Sequence, residues 1–317
     1  MKHTSTLVTI ALAVASALPT VQAQEWPDKP VRVVTAFGAG SASDILARMV
    51  AEDFQGHFKQ SFVVDNKPGA SGIIAAENVA KSPADGYTLF LTTNTVHSAN
   101  PYLFKKLPYD PIKDFTPITV VAETAQVLVV HPSIPSNNIK ELIEYLKNQT
   151  NPISYSSAGN GSQPHLSTEL FKMMSSTKMT HVPYKGGPQA MTDLMAGHVQ
   201  LSLATAPSAV QNVKSGKVKA LGVSTRQRIS ALPDVPTIHE SGLPGYEAIG
   251  YFGLVGPAQL PVAIVNKINA IIIKIVREPA MTKYLSEQGA DPLTSSPAEY
   301  AKLIRDEVDK WGKVVKA

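Results

Sequence analysis

The alternation of short β-branched runs with amphipathic helical patterns constrains this chain more than any other feature. VRVVTAF, from Val31 to Phe37, reads as a strand. Ser43 to Phe54 then sets Ile45, Leu46, Met49, Val50 and Phe54 at helical spacing. A strand over 61–65, a helix over 73–81 and a strand over 87–92 follow. This β-α-β-α-β order requires parallel strands with crossover helices on the faces of the sheet. After a Pro- and Asp-rich crossing, YLFKKLPYDPIKDFTP, a second series begins. Its strands fall over 127–130, 153–156, near His181, 199–203 and 218–224, and its helices over 139–147, 164–174, 188–195 and 207–214. Beyond Arg226 the chain reads as loop-rich, then helical over 262–276 and 297–315. At 317 residues there is material for two domains. The expected architecture is therefore two α/β lobes. Residues 24–117 and 226–317 form lobe one, 118–225 form lobe two, and the crossings lie near Pro117 and Thr225.

The first residues read differently. Lys2 and His3 precede an apolar run from Leu7 to Leu18, shorter than the ~20 residues a bilayer span needs. Val21-Gln22-Ala23 then offers small residues before Gln24, so a secretory signal peptide cut after Ala23 is expected. The chain has no cysteine, which excludes thiol nucleophiles, disulfides and iron–sulfur sites. Its net charge is only +4 and no block of like charges occurs, so nucleic acid is not an expected partner.

Two loops share one recipe. The first strand runs into Gly38-Ala39-Gly40-Ser41 and a helix carrying Ser43 and Asp44. In the second series ISYS runs through Ser157-Ala158 into Gly159-Asn160-Gly161-Ser162 and a helix carrying His165. Each is strand, G-x-G-S, helix. A helix start leaves backbone N–H groups without intrahelical partners and carries partial positive charge. Glycine lets a ligand approach, and Ser caps or donates. Such termini bind anions without Lys or Arg, and in parallel sheets ligands collect at the carboxyl ends of strands. Two facing loops can grip one small anion. Taken singly, either loop is equally a capped turn.

Enzyme and cofactor motifs are incomplete. No Lys follows Gly40 or Gly161, so neither loop is a Walker A, and neither completes G-x-G-x-x-G. G-x-S-x-G is missing, and Ser175-x-x-Lys178 lacks the companions of a serine acylase. No close histidine pair has metal-ligand spacing. No cofactor and no metal are expected. His97 reads as a structural histidine, and Tyr184-Lys185-Gly186-Gly187 as a loop equally able to face solvent or ligand.

Several long stretches carry a resemblance. VDNKPGASGIIAAENVAKSPADGYTLFL, NPYLFKKLPYDPIKDFTPI, YSSAGNGSQPHLSTELF, VPYKGGPQAMTDLMAGHVQL and LPDVPTIHESGLPGYEA occur in that order. In them the chain resembles the Bug receptors, the periplasmic solute-binding proteins of tripartite tricarboxylate transporters. The resemblance implies a type II periplasmic-binding-protein (Venus-flytrap) fold, in which two α/β lobes close on a small carboxylate. It implies a first binding loop from Phe37 through Gly38, Ala39, Gly40, Ser41 and Ser43 to Asp44. It implies a second from Ser157 through Ala158, Gly159, Asn160 and Gly161 to Ser162, followed by His165, with Thr93 and Asn94 at the cleft edge. Membrane permease subunits would be the partners of a monomeric receptor.

Two departures bear on the ligand. The family's Pro- and Gly-Gly-rich first loop reads TAFGAGSASD here, with Phe37 where a proline is usual and Asp44 kept. An acidic residue frequent after a lobe-two strand is replaced by Ala204-Thr205. That loss removes a partner for an ammonium group. The expectation is a plain or aromatic carboxylate, with Phe37 as a stacking surface. An exported esterase using a cleft serine, or a subunit feeding a sensor, are the alternatives.

Overall fold

In the computed structural model, which describes residues 26–316, the chain forms a mixed α/β fold. The expected signal peptide lies outside the described residues. Lobe one begins with β1 (Val31–Thr35), α1 (Ala42–Phe58), β2 (Phe62–Asn66), α2 (Ile73–Ala80) and β3 (Thr88–Thr93). Two short helices follow, α3 (Asn94–Ser98) and α4 (Asn100–Leu103). β1 pairs with β2 and β3 in parallel, as the crossover helices require. The apolar face of α1, with Leu46, Val50 and Phe54, packs on Val31, Val33 and Leu89.

β4 (Phe115–Val130) carries the chain into lobe two. There α5 (Ile139–Lys147), β5 (Ser154–Ser157), α6 (Gln163–Ser175), β6 (Thr180–Pro183), α7 (Gly187–Met195), β7 (Leu201–Thr205), α8 (Ala206–Lys214) and β8 (Lys219–Val223) follow in order. β5 pairs in parallel with β6 and β7, again with helical crossovers. The return strand is β9 (Ile249–Pro257), after which come α9 (Val262–Val276), α10 (Pro279–Glu287), β10 (Ala290–Pro292) and α11 (Pro297–Lys316). Among the described residues, no helix is long and apolar enough to cross a membrane.

One strand joins the two sheets. β4 is a single sixteen-residue strand that belongs to both sheets. Phe115 to Ala125 pair antiparallel with β9, whereas Gln126 to Val130 pair with β7 and β8. The pairing partner of β4 therefore changes from β9 to β7 and β8 between Ala125 and Gln126. Residues 226–248 form a loop-rich segment, but Ile238, Leu243 and Tyr246 are buried in one lobe-two core and Ile229 and Leu232 in the other. That burial packs the segment against the β7 and β8 sheet up to the start of β9. Ser224 stitches the crossings together. Its hydroxyl accepts from the Gln126 amide (2.7 Å) and donates to the Ala248 carbonyl (2.5 Å), and its carbonyl accepts from Ala248 (3.0 Å).

β9 lies at the centre of lobe one, between β3 and β4. Gly253 in this strand lies under Tyr300 of α11, and a Cβ there would overlap the phenol ring. His97 is equally constrained. It is fully buried, its Nδ1 faces the Pro111 carbonyl at 3.0 Å and its ring meets Phe115 edge-on. Burial pushes its pKa down from 6.5 to about 4, against the Pro111 hydrogen bond.

Two outcomes follow from this packing. Gly253→Ala should destabilise the protein by about 1–3 kcal/mol in denaturant unfolding, because Tyr300 has to move. A wild-type unfolding energy would show the Tyr300 contact to be unimportant. His97 binds its proton more weakly folded than unfolded, so its contribution is complete above about pH 6.5. It is lost as pH falls from 6.5 toward 4, on the order of 3 kcal/mol at about 1.4 kcal/mol per unit. His97→Phe should flatten the stability–pH curve in that window; an unchanged slope contradicts this assignment.

Candidate functional site

The G-x-G-S loops share the torsion angles of their second glycine and serine, while their first glycines differ, Gly159 having φ 129°. Gly40 and Gly161 have φ of 75° and 76°, the left-handed region that favours glycine. The serine after each is the helix N-cap in extended conformation, Ser41 at φ −72° and ψ 161°, Ser162 at φ −65° and ψ 157°. In each loop the serine amide donates to the first glycine's carbonyl at 3.1 Å, Ser41 to Gly38 and Ser162 to Gly159. In each, the second glycine's N–H donates four residues ahead. Gly40 donates to Asp44 Oδ2 (2.8 Å) and Gly161 to His165 Nδ1 (2.9 Å).

Asp44 and His165 are thus loop anchors. Burial pushes the Asp44 carboxyl up, but hydrogen bonds from Arg48, the Gly40 amide and Asn66 outweigh it and hold the pKa below its ordinary value. Asn66 also donates to the Phe37 carbonyl (2.9 Å), which ties the loop to β2. For His165, burial lowers the pKa and outweighs Glu169, which keeps the ring neutral and Nδ1 free to accept. Its ring stacks on His181 (4.1 Å), which stacks on Tyr155 (4.8 Å). His181 meets the Ser157 hydroxyl at 2.7 Å, and Ser157 donates to the Gly159 carbonyl at 3.1 Å. The aromatic column therefore braces the second loop from behind.

The loops face each other across the lobes. A Cβ at Gly40 would meet Pro188 of α7, and one at Gly161 would meet Leu103 of α4. The Ser71 hydroxyl donates to the Asn160 carbonyl, and Asn94 Nδ2 donates to Gln163 Oε1 (3.3 Å). Between the lobes lies a cavity with about 50 Å³ open to water centres, several times the ~10–15 Å³ that one water needs. The N-terminal residues of α1, α6, α7 and α8 all reach it: Ala42 and Ser43, Gln163, Gly187, and Thr205 with Ser208. Among the described residues, no Lys, Arg, His, Asp or Glu side chain lines it.

The expected site residues divide accordingly. Phe37, Ser41, Ser43, Thr93, Asn94, Ala158, Ser162, Ala204 and Thr205 line the cavity. Gly159 and Asn160 line an adjoining cleft of about 190 Å³ instead, with Ser71, Tyr184 and Lys185; Phe37 and Ala158 border both. Gly38, Ala39, Gly40, Asp44, Ser157, Gly161 and His165 line neither. Ala39 and Gly40 are exposed at the rim, while Ser157 and Asp44 are buried supports. Sequence reasoning passed over Thr124, Gln126, Gln163, Met191, Ser202, Tyr251 and Phe252, which also line the cavity. Gln126 left a trace, as the lone amide in the apolar run AQVLVV. Tyr251 and Phe252 left none, because their strand lies in a stretch broken by glycines.

Relatives share this organisation. Residues 46–317 match the model of the tripartite tricarboxylate transporter family receptor. Protein BugT of Bordetella pertussis is 30% identical over 311 residues, which are 98% of this chain and 95% of that protein. A solved R. palustris protein with adipate superposes with a TM-score of 0.90 at 38% identity, covering 92% of this chain and 98% of that one. MatC of Rhodopseudomonas palustris, solved with bound malate, gives 0.86 at 31% identity, covering 92% of this chain and all (100%) of that one. With two α/β lobes around one cavity and a family match over most of its length, the chain belongs to the tripartite tricarboxylate transporter receptor family, the Bug-type periplasmic solute-binding proteins.

Proposed function

We propose that this protein is a periplasmic receptor that captures a small organic carboxylate between its lobes and presents it to the membrane permease subunits of a tripartite tricarboxylate transporter. One observation carries the reading: four helix N-termini from both lobes open onto a single cavity with no charged side chain in its lining. The partial positive charge of the helix N-termini favours an anion there, and among the described residues no carboxylate lines the cavity for a cationic ligand. The relatives solved with adipate and with malate support a compact dicarboxylate. Phe37 at the border of both spaces leaves room for an aromatic acid in the same class. Ala204 and Thr205 line the cavity where an acidic partner for an ammonium would stand, so amino acids are disfavoured.

The receptor performs no chemistry. Ser157 and His181 are paired at 2.7 Å, yet neither lines the cavity, so a substrate held there does not reach the hydroxyl. Closure is a hinge motion about the crossings that Ser224 joins, with the closed form read by the membrane partner.

A thermal-shift screen of the purified protein against di- and tricarboxylates, aromatic acids and amino acids tests this. An acid present at 100 times its dissociation constant should add about 2.7 kcal/mol of stability. Aspartate and glutamate should stabilise less than their deaminated analogues. Absence of any shift from the acids, or a larger shift from the amino acids, contradicts the proposal.

A further inference from the structure

The second glycine loop is covered from the opposite lobe. Leu103 of α4 lies over Gly161, where a Cβ would overlap Leu103 Cδ1. Ala99, at the start of α4, and Leu166 of α6 form a small buried core of their own, and Leu103 packs against it. Two members come from lobe one and one from lobe two. None of the three lines the cavity or the adjoining cleft.

A polar contact lies beside this core. The Ser71 hydroxyl donates to the Asn160 carbonyl, and an unusual stretch of backbone presents it. Gly69, Ala70, Ser71 and Gly72 have φ of 126°, 45°, 56° and 86°, so two residues with side chains stand in the left-handed region. Such backbone persists only where its surroundings hold it. Here Asn100 of α4, fully buried, donates from Nδ2 to the Ser71 carbonyl (3.1 Å), and the Gly72 N–H donates to the Gly69 carbonyl (3.0 Å). Helix α4 thus supplies Leu103 and fixes Ser71, and both bear on the Asn160–Gly161 turn.

Chain connectivity does not hold these groups together, because Ser71, Ala99, Leu103 and Leu166 all lie outside the strands that join the two sheets. Parting the lobes returns the apolar faces of Leu103 and Leu166 to water and breaks the Ser71 bond. Removing these contacts therefore weakens the closed form selectively, and a ligand that needs both lobes has to make up the difference.

We propose that Ser71, Leu103 and Leu166 form a clasp across the second glycine loop, in which Leu103 and Leu166 are positioning residues that set ligand affinity by holding the lobes together without touching the ligand. The proposal rests on the receptor reading of the cavity.

Two measurements on the full chain test it. The sequence has no cysteine, so Lys106→Cys and Lys178→Cys, at exposed positions one in each lobe, accept a pair of spin labels whose separation is read by double electron–electron resonance. In that background Leu103→Ala and Leu166→Ala should each shift the separations to longer values, in the free protein or at half-saturating malate or adipate. Isothermal titration with the same two acids should give a Kd about tenfold higher in each variant. The double variant should lose less than the product of about a hundredfold, because the two side chains share one contact. A merely structural role lowers the unfolding temperature and leaves separation and Kd unmoved. If one variant does not fold, the other carries the test together with Ser71→Ala. Wild-type separations in the variants, or wild-type affinities, overturn the clasp and leave the receptor reading standing. If neither acid binds, the separations in the free protein decide the clasp by themselves, longer ones supporting it and equal ones overturning it, while the thermal-shift screen decides the receptor reading.

Discussion

The rest of the structure depends on one electrostatic arrangement, the opposition of uncharged helix N-termini across a closed gap. An ion pair would bind an anion more strongly in isolation, but burying a cationic side chain costs several kcal/mol in desolvation. Peptide amides at a helix start are already short of partners and are held by the fold, so offering them to a ligand needs no new ordering. The consequence is a cavity lined by Ser, Thr, Asn, Gln and apolar groups, with Arg48, Lys185 and Glu307 kept outside its lining. Neither lobe alone makes this environment, since α1 belongs to one and α6, α7 and α8 to the other.

That arrangement demands loops that hold still, and the two lobes solve the problem with one geometry and different chemistry. A left-handed glycine turns its N–H back toward the residue four positions on. In lobe one a carboxylate accepts it, supported by Arg48 and Asn66. In lobe two a neutral imidazole accepts it, supported by the stack on His181 and Tyr155. The shared torsions explain why the sequence pattern G-x-G-S recurs, and the distinct acceptors explain why nothing beyond it does. Asp44 and His165 look like ligand contacts in a sequence because they follow the loop so closely. In the fold they stand behind it.

Periodicity made much of the architecture readable in advance. The strands and helices from Val31 to Thr93 and from Ile139 to Val223 follow from β-branched runs and helical spacing, and parallel pairing follows from their alternation. What escaped has physical causes. β4 was legible only as its apolar end, because Thr116, Pro117, Glu123 and Thr124 interrupt the pattern where it pairs with β9 and β10. β9 carries three glycines and closes on Pro257, so it reads as loop, although Gly253 is there to admit Tyr300. The segment 226–248 has no regular periodicity and joins lobe two through scattered buried side chains. At the site, the glycine loops were visible as local motifs. Gln126, Tyr251 and Phe252 were not, because only the passage of β4 and β9 between the lobes brings them to the cavity.

The crossings therefore border the site as well as join the two sheets. Gln126 hydrogen-bonds Ser224 through its main chain and is part of the cavity wall, so the strand that passes between the sheets also borders the cavity. A crystal structure of the protein with its tightest-binding acid tests the central claim most directly. The account predicts a carboxylate within hydrogen-bonding distance, directly or through one ordered water, of the main-chain N–H of Ala42 or Ser43 and of Gln163, with no cationic side chain in contact. A carboxylate held by Lys or Arg, or resting on one lobe alone, would contradict it.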